Sequence, residues 1–375
     1  MLKINDYITA YTRKDYGIYT PEYPIDLDCS LGVNQEDLPD TVFTKLRELN
    51  RDNQDPIKQY PHDEILLDKL ADWYKRRGID WLKTENLILG CGSFDLLCNM
   101  NLLCLAGHKK VLGHAPQFSA YVDHVNCIGA AYCSYTLPRT KNYKFETEGY
   151  LGEMNSSCDL FIVENPNNPT GQEIKLKDVQ KIAAKAESLH AILVVDEAYG
   201  DYMELHNSAL NLIPGHPNVV VTRTFSKGFG MAGIRLGYAF ISSENDLAVQ
   251  LKKLEIPFNS NGVARILAGA VIDSGGDMLK IQEIRANKQK ILKILTKLKA
   301  AVTSERTPIM TLYYDTMDGG FDLQRFLAEK VHLAAVGCAA YGGLDKRAVR
   351  LMLPGTKDVD EKLLPKLISA QNYLD

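Results

Sequence analysis

The chain contains 375 residues, of which 45% are hydrophobic and 24% are charged, and its formal net charge at pH 7 is -4. This composition is typical of a soluble protein of two or three domains, and so small a charge provides no global field to attract nucleic acid or an anionic membrane. Because no apolar run reaches membrane-spanning length and the first residues lack the apolar core of a signal peptide, we expect a cytoplasmic protein whose partners are small molecules, with no nucleic acid and no membrane among them.

The N-terminal 45 residues are rich in tyrosine and proline and predict an extended arm with a turn at Gly32. A second turn-rich stretch at 55–62 precedes residues 63–77, where apolar side chains recur at helical spacing. The arm therefore joins other structure and is not an independent domain.

From there to about residue 242, short apolar runs alternate with helical segments. The predicted strands are 86–89, 110–113, 131–137, 159–164, 192–196, 219–223 and 237–241, and the clearest helices are 93–105, 118–128 and 175–190. Such alternation is typical of a mostly parallel sheet with helices on both faces. We predict an α/β protein with a three-layer large domain around a seven-stranded sheet.

The pattern changes after Asn259. Residues 263–301 read as helix with a break at 274–276. A strand at 309–315, a helix near 321–331 and a strand at 348–353 predict a small α+β domain that the N-terminal arm completes. The predicted division is an arm at 1–45 that contributes to the small domain, a large domain at 46–262, and an interdomain helix with the small domain at 263–375.

The eight cysteines are scattered and form no CxxC pair. Several lie in apolar stretches, which argues against structural zinc and against a disulfide framework. We expect reduced thiols in or near the core, and no metal.

The stretch 222–238 presents a lysine, Lys227, in a polar, glycine-rich loop after a predicted strand. This is the carboxyl edge of the sheet, where α/β folds bind ligands. The hydroxyls of Thr224 and Ser226 and the guanidinium of Arg235 suit a phosphate. A lone loop lysine is usually a solvated surface residue, but a reactive amine beside a phosphate cradle is what a Schiff-base lysine holding pyridoxal 5′-phosphate (PLP) requires.

Three further stretches follow predicted strands. Residues 90–95 form a glycine-rich turn that opens a helix, a place where phosphate binds. Residues 164–171 form a turn that presents an asparagine amide at the sheet edge. Asp196 ends an apolar strand, and a buried aspartate needs a cationic partner such as a protonated pyridine nitrogen, with Tyr199 three residues on. Taken singly, each also fits a structural turn or a helix cap.

Together, the ordered motifs GCGS, NPNNPTG, DEAY and SKGFGMAGIRLGY resemble those of fold-type I PLP enzymes. The resemblance covers most of the chain and is closest to class I/II aminotransferases of the histidinol-phosphate aminotransferase-like branch. It implies an enzyme that moves an amino group from an α-amino acid or a related amine, with histidinol phosphate among the candidates, to a 2-oxo acid.

The resemblance also implies roles for single residues. Lys227 would form the aldimine with PLP and carry the proton between Cα and C4′, and Asp196 would pair with the pyridinium nitrogen. Asn168 and Tyr199 would bind the phenolic oxygen. The phosphate cradle and the stacking ring would comprise Gly92, Ser93, Phe94, Thr224, Ser226, Arg235 and Phe118, with Tyr121 a weaker choice for stacking.

Two further roles concern the partner subunit and the substrate. Tyr60 in QYPH resembles the tyrosine that reaches the phosphate of the other subunit, which implies a homodimer with shared active sites. Arg350 resembles the arginine that grips the substrate α-carboxylate through a bidentate pair, with Gly32 and Asn168 close by.

The chain departs from the family pattern in two places. Family members acting on histidinol phosphate usually carry a second arginine in the segment matching 331–337, where this chain has VHLAAVG, and Asn34 is not followed by the usual proline. An ordinary α-amino acid held by Arg350 is therefore at least as good a candidate donor.

Two alternative functions are compatible with parts of the sequence. Threonine-phosphate decarboxylases share these PLP motifs, and the bond that breaks depends on which substituent lies perpendicular to the ring. Residues 228–233 also match GxGxxG, the dinucleotide fingerprint. That match follows the sixth strand instead of the first, and no acidic residue ends another strand about 20 residues later, so an NAD-dependent oxidoreductase is disfavoured.

Overall fold

A computed structural model describes residues 4–13, 22–61, 64–276 and 278–374. Parts of the predicted arm, at 1–3 and 14–21, and the predicted helix start at 63 lie outside the described residues. The strands are β1 Leu27–Asp28, β2 Leu87–Gly90, β3 Lys110–Ala115, β4 Ala131–Thr136, β5 Leu160–Glu164, β6 Ile192–Asp196, β7 Val219–Thr224, β8 Gly237–Phe240, β9 Leu298–Ala300, β10 Ile309–Tyr314, β11 Leu333–Ala334, β12 Val336–Gly337 and β13 Ala348–Met352.

The helices account for most of the remaining regular structure. The α-helices are α1 Asp6–Ala10, α2 Asp40–Glu48, α3 Asp55–Lys58, α4 Ile65–Lys75, α5 Ser93–Leu105, α6 Ser119–Cys127, α7 Thr147–Glu153, α8 Leu176–Ser188, α9 Leu247–Lys252, α10 Gly262–Asp273, α11 Ile281–Ile294, α12 Leu323–Val331, α13 Thr356–Asp358 and α14 Leu364–Asn372. A π-helical segment, Val359–Leu363, joins α13 to α14. Among the described residues, no helix is both long and apolar enough to cross a membrane.

The predicted seven-stranded sheet is confirmed. Its strands lie in the order β2-β8-β7-β6-β5-β3-β4, and β8 runs antiparallel to both of its neighbours while the other pairs are parallel. The sheet forms from near-continuous apolar runs because both of its faces are buried. Parallel strands bring their carboxyl ends to one edge, and this places the loops after β3, β5, β6 and β7 side by side.

Alternate residues of each strand enter opposite cores. In β5, Leu160 and Ile162 pack with α5, α6 and α9, whereas Phe161 and Val163 pack with α4, α8 and α10. The sheet is therefore the middle of three layers, as predicted.

The small domain is built around a second sheet in the antiparallel order β12-β13-β10-β9. The N-terminal β1 pairs in parallel with β11, and Leu27 joins the core formed with α11, α12 and α14. The arm thus contributes to this domain.

The predicted C-terminal end of one helix is wrong. The helix predicted to reach residue 301 stops at Ile294, and Leu298–Ala300 forms the edge strand β9. Gln371 Oε1 accepts the backbone N–H groups of Thr296, Lys297 and Leu298, which draws the chain out of the helix. Apolar spacing cannot reveal that distant acceptor.

Two helices lie at the predicted domain boundaries, which stay a prediction. α2 spans residue 45, and α10, which begins at Gly262, packs in the core of the large domain. The hydroxyl of Thr41 on α2 donates to the carbonyl of Ala270 on α10 at 3.2 Å.

The eight cysteines are free thiols. Cys29, Cys158 and Cys338 are buried, whereas Cys91 is exposed and departs from the expected core location.

Candidate active site

A cavity of about 190 Å³ opens at the carboxyl edge of the large sheet. Because the loops after β3, β5, β6 and β7 converge there, the cavity collects residues that are far apart in the sequence. Its walls include every residue predicted to contact the cofactor within one chain: Gly92, Ser93, Phe94, Phe118, Asn168, Asp196, Tyr199, Thr224, Ser226, Lys227 and Arg235.

One end of the cavity is an anion cradle. Gly92 has φ +80, and a Cβ there would lie 2.9 Å from Arg235 Nη2, so only glycine lets the guanidinium reach the start of α5. Arg235 Nη1 donates to Ser226 Oγ at 3.4 Å, and Thr224 Oγ1 donates to the same oxygen at 3.0 Å. The N–H groups that open α5 add to the positive potential.

Another part of the cavity wall is Asp196, which is only 6% exposed. Its Oδ1 accepts hydrogen bonds from Thr222 Oγ1 and from the N–H of Ala198, both at 3.1 Å. Burial raises the pKa of Asp196 to about 6, and the hydrogen bonds and Lys227 offset only part of that effect. A cation bound at this carboxylate would stabilise its ionised form.

Lys227 also lines the cavity. Its Nζ donates to the carbonyl of Gly32 at 2.7 Å and lies 5.3 Å from the ring centroid of Tyr199. The hydroxyl of Tyr199 is buried and has no hydrogen-bond partner among the described residues. A Cβ on Gly32 would lie 3.1 Å from that hydroxyl and 3.3 Å from Nζ. The arm backbone at Gly32 therefore passes so close to both groups that a side chain there would crowd them.

Arg350 reaches the site from β13 of the small domain and is buried. Its Nη2 donates to the carbonyl of Ser30 at 2.7 Å, and its Nη1 donates to Asn168 Oδ1 at 3.3 Å. Tyr341 also donates to Asn168 Oδ1, at 3.4 Å. The guanidinium therefore joins the N-terminal arm to the NPNNPTG loop beside Gly32 and Lys227.

Two aromatic residues were candidates for ring stacking, and they lie in different places. Phe118 lines the cavity, with its ring edge-to-face against Phe94 at 5.9 Å. Tyr121 is buried in the core, where its hydroxyl donates to Asn101. The geometry thus favours Phe118.

Tyr60 does not line this cavity. Its side chain is 68% exposed and stacks on Phe258 with ring centroids 4.6 Å apart. It faces a separate groove of about 580 Å³.

Sequence reasoning missed two residues of the site. Glu164 ends β5 and lines the cavity beside Asp196, its register partner on β6. The signal was present, because an acidic residue directly follows an apolar run there, as it does at Asp196. Tyr341 gave no such signal, since its contact with Asn168 depends on the docking of the small domain.

The comparisons with known proteins agree with this geometry. The family model described as aminotransferase class I and II matches residues 28–365. The chain belongs to this family.

The chain is similar to two curated relatives and to a solved structure. Histidinol-phosphate aminotransferase 2 of Legionella pneumophila (strain Paris) is 36% identical over 57% of this chain, and the match spans 56% of that protein's length. Histidinol-phosphate aminotransferase of Chlorobaculum tepidum is 30% identical over 72% of this chain and 75% of that protein. A double mutant of Thermus thermophilus aspartate aminotransferase, at 19% identity, superposes with a TM-score of 0.82 over 99% of this chain and all (100%) of that one.

Class I and II aminotransferases depend on PLP, and the residues of this chain fit that cofactor. The cradle at Arg235 suits a phosphate and Asp196 suits a ring N–H⁺, while the hydroxyl of Tyr199, which has no hydrogen-bond partner in the described part of the chain, suits a phenolic oxygen. Among the described residues, no cluster of three or more His, Cys, Asp or Glu could hold a metal ion.

Proposed function

We propose that this protein is a PLP-dependent aminotransferase that moves an amino group from an α-amino acid or a related amine to a 2-oxo acid. The observation that carries the proposal is the placement of Lys227, Asp196 and the buried Tyr199 hydroxyl around one cavity with a phosphate cradle at its end. When bound, PLP supplies an electron-accepting ring that stabilises the negative charge left on the donor Cα.

The residues of the chain divide the remaining tasks. Lys227 Nζ, uncharged when it acts, would take the proton from the donor Cα and deliver it to C4′ of the cofactor. The Asp196 carboxylate would keep a proton on the ring nitrogen, and Tyr199 Oη would donate to the phenolic oxygen. Asn168 Oδ1 accepts from Arg350 and Tyr341, which leaves its Nδ2 to donate to the same oxygen.

The donor is an α-amino acid or histidinol phosphate. Arg350 offers a fork suited to a carboxylate, and the relatives are named histidinol-phosphate aminotransferases. The segment 331–337 has no arginine, and the residue opposite Arg350 in the sheet register is Val336. We favour an α-amino acid donor because a second cation for a substrate phosphate is missing from that segment.

The decisive experiment follows the visible absorption of the PLP-loaded protein while donors are added singly. The panel includes common amino acids, histidinol phosphate and threonine phosphate. Loss of the visible band with one donor, and its return when a 2-oxo acid is added, is the expected result. A band that persists while an amine and CO₂ accumulate would favour the decarboxylase alternative, and a protein that cannot be loaded with PLP would overturn the proposal.

A lysine variant tests the proposed base. Lys227→Ala should lose at least about 10⁴-fold in kcat, since it removes both the covalent anchor and the proton carrier. Lys181→Ala, on the solvent face of α8, is the matched control and should retain wild-type kcat. Full activity in Lys227→Ala would refute the role.

We also propose a homodimer in which Tyr60 serves the site of the partner subunit. The support is the exposed apolar surface formed by Ile57, Tyr60 and Ile65, beside a groove lined by α2 and α10. Exposed apolar patches of this kind mark protein interfaces.

A hybrid dimer tests the sharing. Lys227→Ala and Tyr60→Ala subunits with different tags are co-expressed, and the heterodimer is purified. If Tyr60 acts across the interface, one site of the hybrid is complete and about half of the wild-type activity returns, although each parent is impaired. If Tyr60 acts within its own chain, the hybrid has no complete site and activity stays low.

A further inference from the structure

A second carboxylate, Glu164, lies at the cavity beside Asp196. It is 3% exposed, ends β5 and lines the same cavity as Lys227. Strands β5 and β6 place Glu164 and Asp196 in register, so the two acidic side chains follow adjacent strand ends. None of the roles assigned above to the ring contacts or to the phosphate cradle involves Glu164.

Glu164 accepts hydrogen bonds from N–H donors on two different segments. Its Oε1 accepts the backbone N–H of Phe118 at 2.8 Å. Its Oε2 accepts Asn167 Nδ2 at 2.8 Å and the backbone N–H of Asn168 at 3.2 Å. The carboxylate therefore ties the start of α6 to the NPNNPTG loop, across 46 and 4 residues of sequence respectively.

The surroundings of Glu164 require a carboxylate rather than an amide. Each of its oxygens faces N–H donors, so an NH₂ group in either place would oppose another N–H. Within the described part of the chain, no lysine or arginine forms an ion pair with it. His114 is a neutral neighbour: its Nε2 accepts the backbone N–H of Glu164, and burial lowers the pKa of His114 to about 4.

Ionisation of Glu164 is unfavourable in the surroundings that the chain alone provides. Burial and then the charge of Asp196 raise the pKa of Glu164 well above its ordinary value. Two acidic groups at adjacent strand ends repel each other when both are ionised, and a cation bound at Asp196 relieves that repulsion. The arrangement therefore suits a site completed by a ligand that carries positive charge.

On the basis of the proposed function, we propose that Glu164 is a positioning residue for PLP: by tying the backbone of Phe118 to that of Asn168, it sets the spacing between the two cavity walls that would flank the ring. Phe118 would stack on the ring and Asn168 would bind its phenolic oxygen. If both walls are already ordered before PLP binds, less conformational entropy is lost on binding.

The test compares Glu164→Gln with wild type and with Thr170→Val. The glutamine variant keeps size but leaves at least one N–H of the two walls without an acceptor. Thr170→Val is the matched control, because it removes buried hydrogen bonds of the same loop without touching Phe118 or Asn168: Thr170 Oγ1 donates to Asn167 Oδ1 at 2.6 Å and accepts from Gln172 N and Nε2. Each protein is titrated with PLP, and its Kd, visible circular dichroism and melting temperature without PLP are measured.

We expect Glu164→Gln to raise the Kd for PLP about tenfold or more and to change the visible circular dichroism per bound PLP, since that signal reports the setting of the ring. Thr170→Val should lower the melting temperature with less than about a threefold change in Kd. Wild-type affinity in Glu164→Gln would overturn the inference while leaving the proposed function intact. Equal weakening by both variants would also overturn it, because loop stability alone would then explain the effect.

Failure of the wild-type protein to bind PLP and failure of the variant to fold have different consequences. If the wild-type protein fails to bind PLP, the proposed function falls and this inference falls with it. If Glu164→Gln fails to fold, hydrogen exchange in the wild-type protein without PLP decides: the amides of Phe118 and Asn168 should exchange slowly because Glu164 already accepts both. Exchange as fast as that of exposed amides would overturn the inference.

Discussion

Asp196 and Glu197 are consecutive buried acids with opposite electrostatic surroundings. Asp196 faces the cavity and accepts hydrogen bonds only from neutral donors among the described residues. Glu197 faces away and accepts from a guanidinium: Arg223 Nη2 donates to its Oε2 at 2.7 Å and Nε at 3.0 Å. The same strand end thus holds one acid that is ion-paired with a guanidinium and one that, among the described residues, forms no ion pair.

Both carboxylate oxygens of Glu197 accept hydrogen bonds from groups of the fold. Ser208 Oγ and the N–H of Ala209 supply the remaining donors at 2.7 Å. Arg223 also contacts Asp201 and Tyr74, and the neighbouring acids and tyrosines hold its pKa well above the ordinary value despite its burial. The donors of the Glu197 network all belong to the fold, whereas on the proposed function the groups on the Asp196 side would meet a bound cofactor. Uncompensated polar groups in a cavity therefore distinguish the site from an equally buried structural cluster.

The largest loss of stability should come from removing Arg223, the cation that pairs with Glu197. Arg223→Met leaves Glu197 buried without its cation and removes one cation beside Asp201, so it should lower the free energy of unfolding by about 3 to 5 kcal/mol. Urea denaturation of the cofactor-free protein at pH 7 measures it. Arg235→Met is the matched control: its guanidinium is partly exposed at the cradle, so we expect less than about 1 kcal/mol of destabilisation but weaker PLP binding. Equal destabilisation by the two variants would remove the distinction between the clusters.

The opposite change, at Asp196, should stabilise the cofactor-free protein. Asparagine can keep the hydrogen bonds from Thr222 and Ala198 and has no charge to bury. Because the pKa of Asp196 is raised from 3.8 to about 6, the folded state binds the proton more tightly than the unfolded state. The stability contributed by that proton is present below pH 3.8 and is lost as the pH rises to about 6.

The difference between Asp196→Asn and wild type should therefore grow between about pH 4 and pH 6 and then level off near 2 to 3 kcal/mol in favour of the variant. Unfolding curves at a series of pH values measure it, and PLP binding should be weakened in the same variant. Glu197→Gln is the adjacent control and should destabilise the protein, because it weakens the pairing with Arg223. A pH-independent difference for Asp196→Asn would contradict the interpretation.

The large sheet and the cavity residues could be predicted because their signals are local. A strand buried on both faces is a continuous apolar run, and the groups that face a ligand directly follow it. The other features depend on partners that are distant in the sequence. The acceptor that ends α11 early is Gln371, 73 to 75 residues away, and Phe118 meets Glu164 only after β3 and β5 have paired. Likewise, nothing near Glu197 marks Arg223 as its cation, so the sequence alone could not separate the matched acid from the unmatched one.

The smallest effect concerns two buried tyrosines and extends the same comparison to neutral groups. Tyr199 has a buried hydroxyl with no hydrogen-bond partner among the residues that the structure describes, whereas the buried hydroxyl of Tyr150 donates to the carbonyls of Leu112 and Ile162 at 2.9 and 3.1 Å. An unsatisfied buried hydroxyl is unfavourable, and a satisfied one contributes a net stabilisation. Tyr199→Phe should therefore raise the free energy of unfolding of the cofactor-free protein by about 1 kcal/mol, and Tyr150→Phe should lower it by about the same amount.

Loading with PLP should reverse the sign for Tyr199 alone. If the hydroxyl of Tyr199 binds the cofactor, its removal weakens PLP binding, so the variant that is more stable when empty becomes less stable than wild type at saturating PLP. Tyr150→Phe should show the same deficit with and without PLP, because its partners belong to the fold. A Tyr199→Phe variant that kept its advantage in the loaded protein would mean that the hydroxyl does not contact the cofactor, and the unmatched groups of the cavity would then need another explanation.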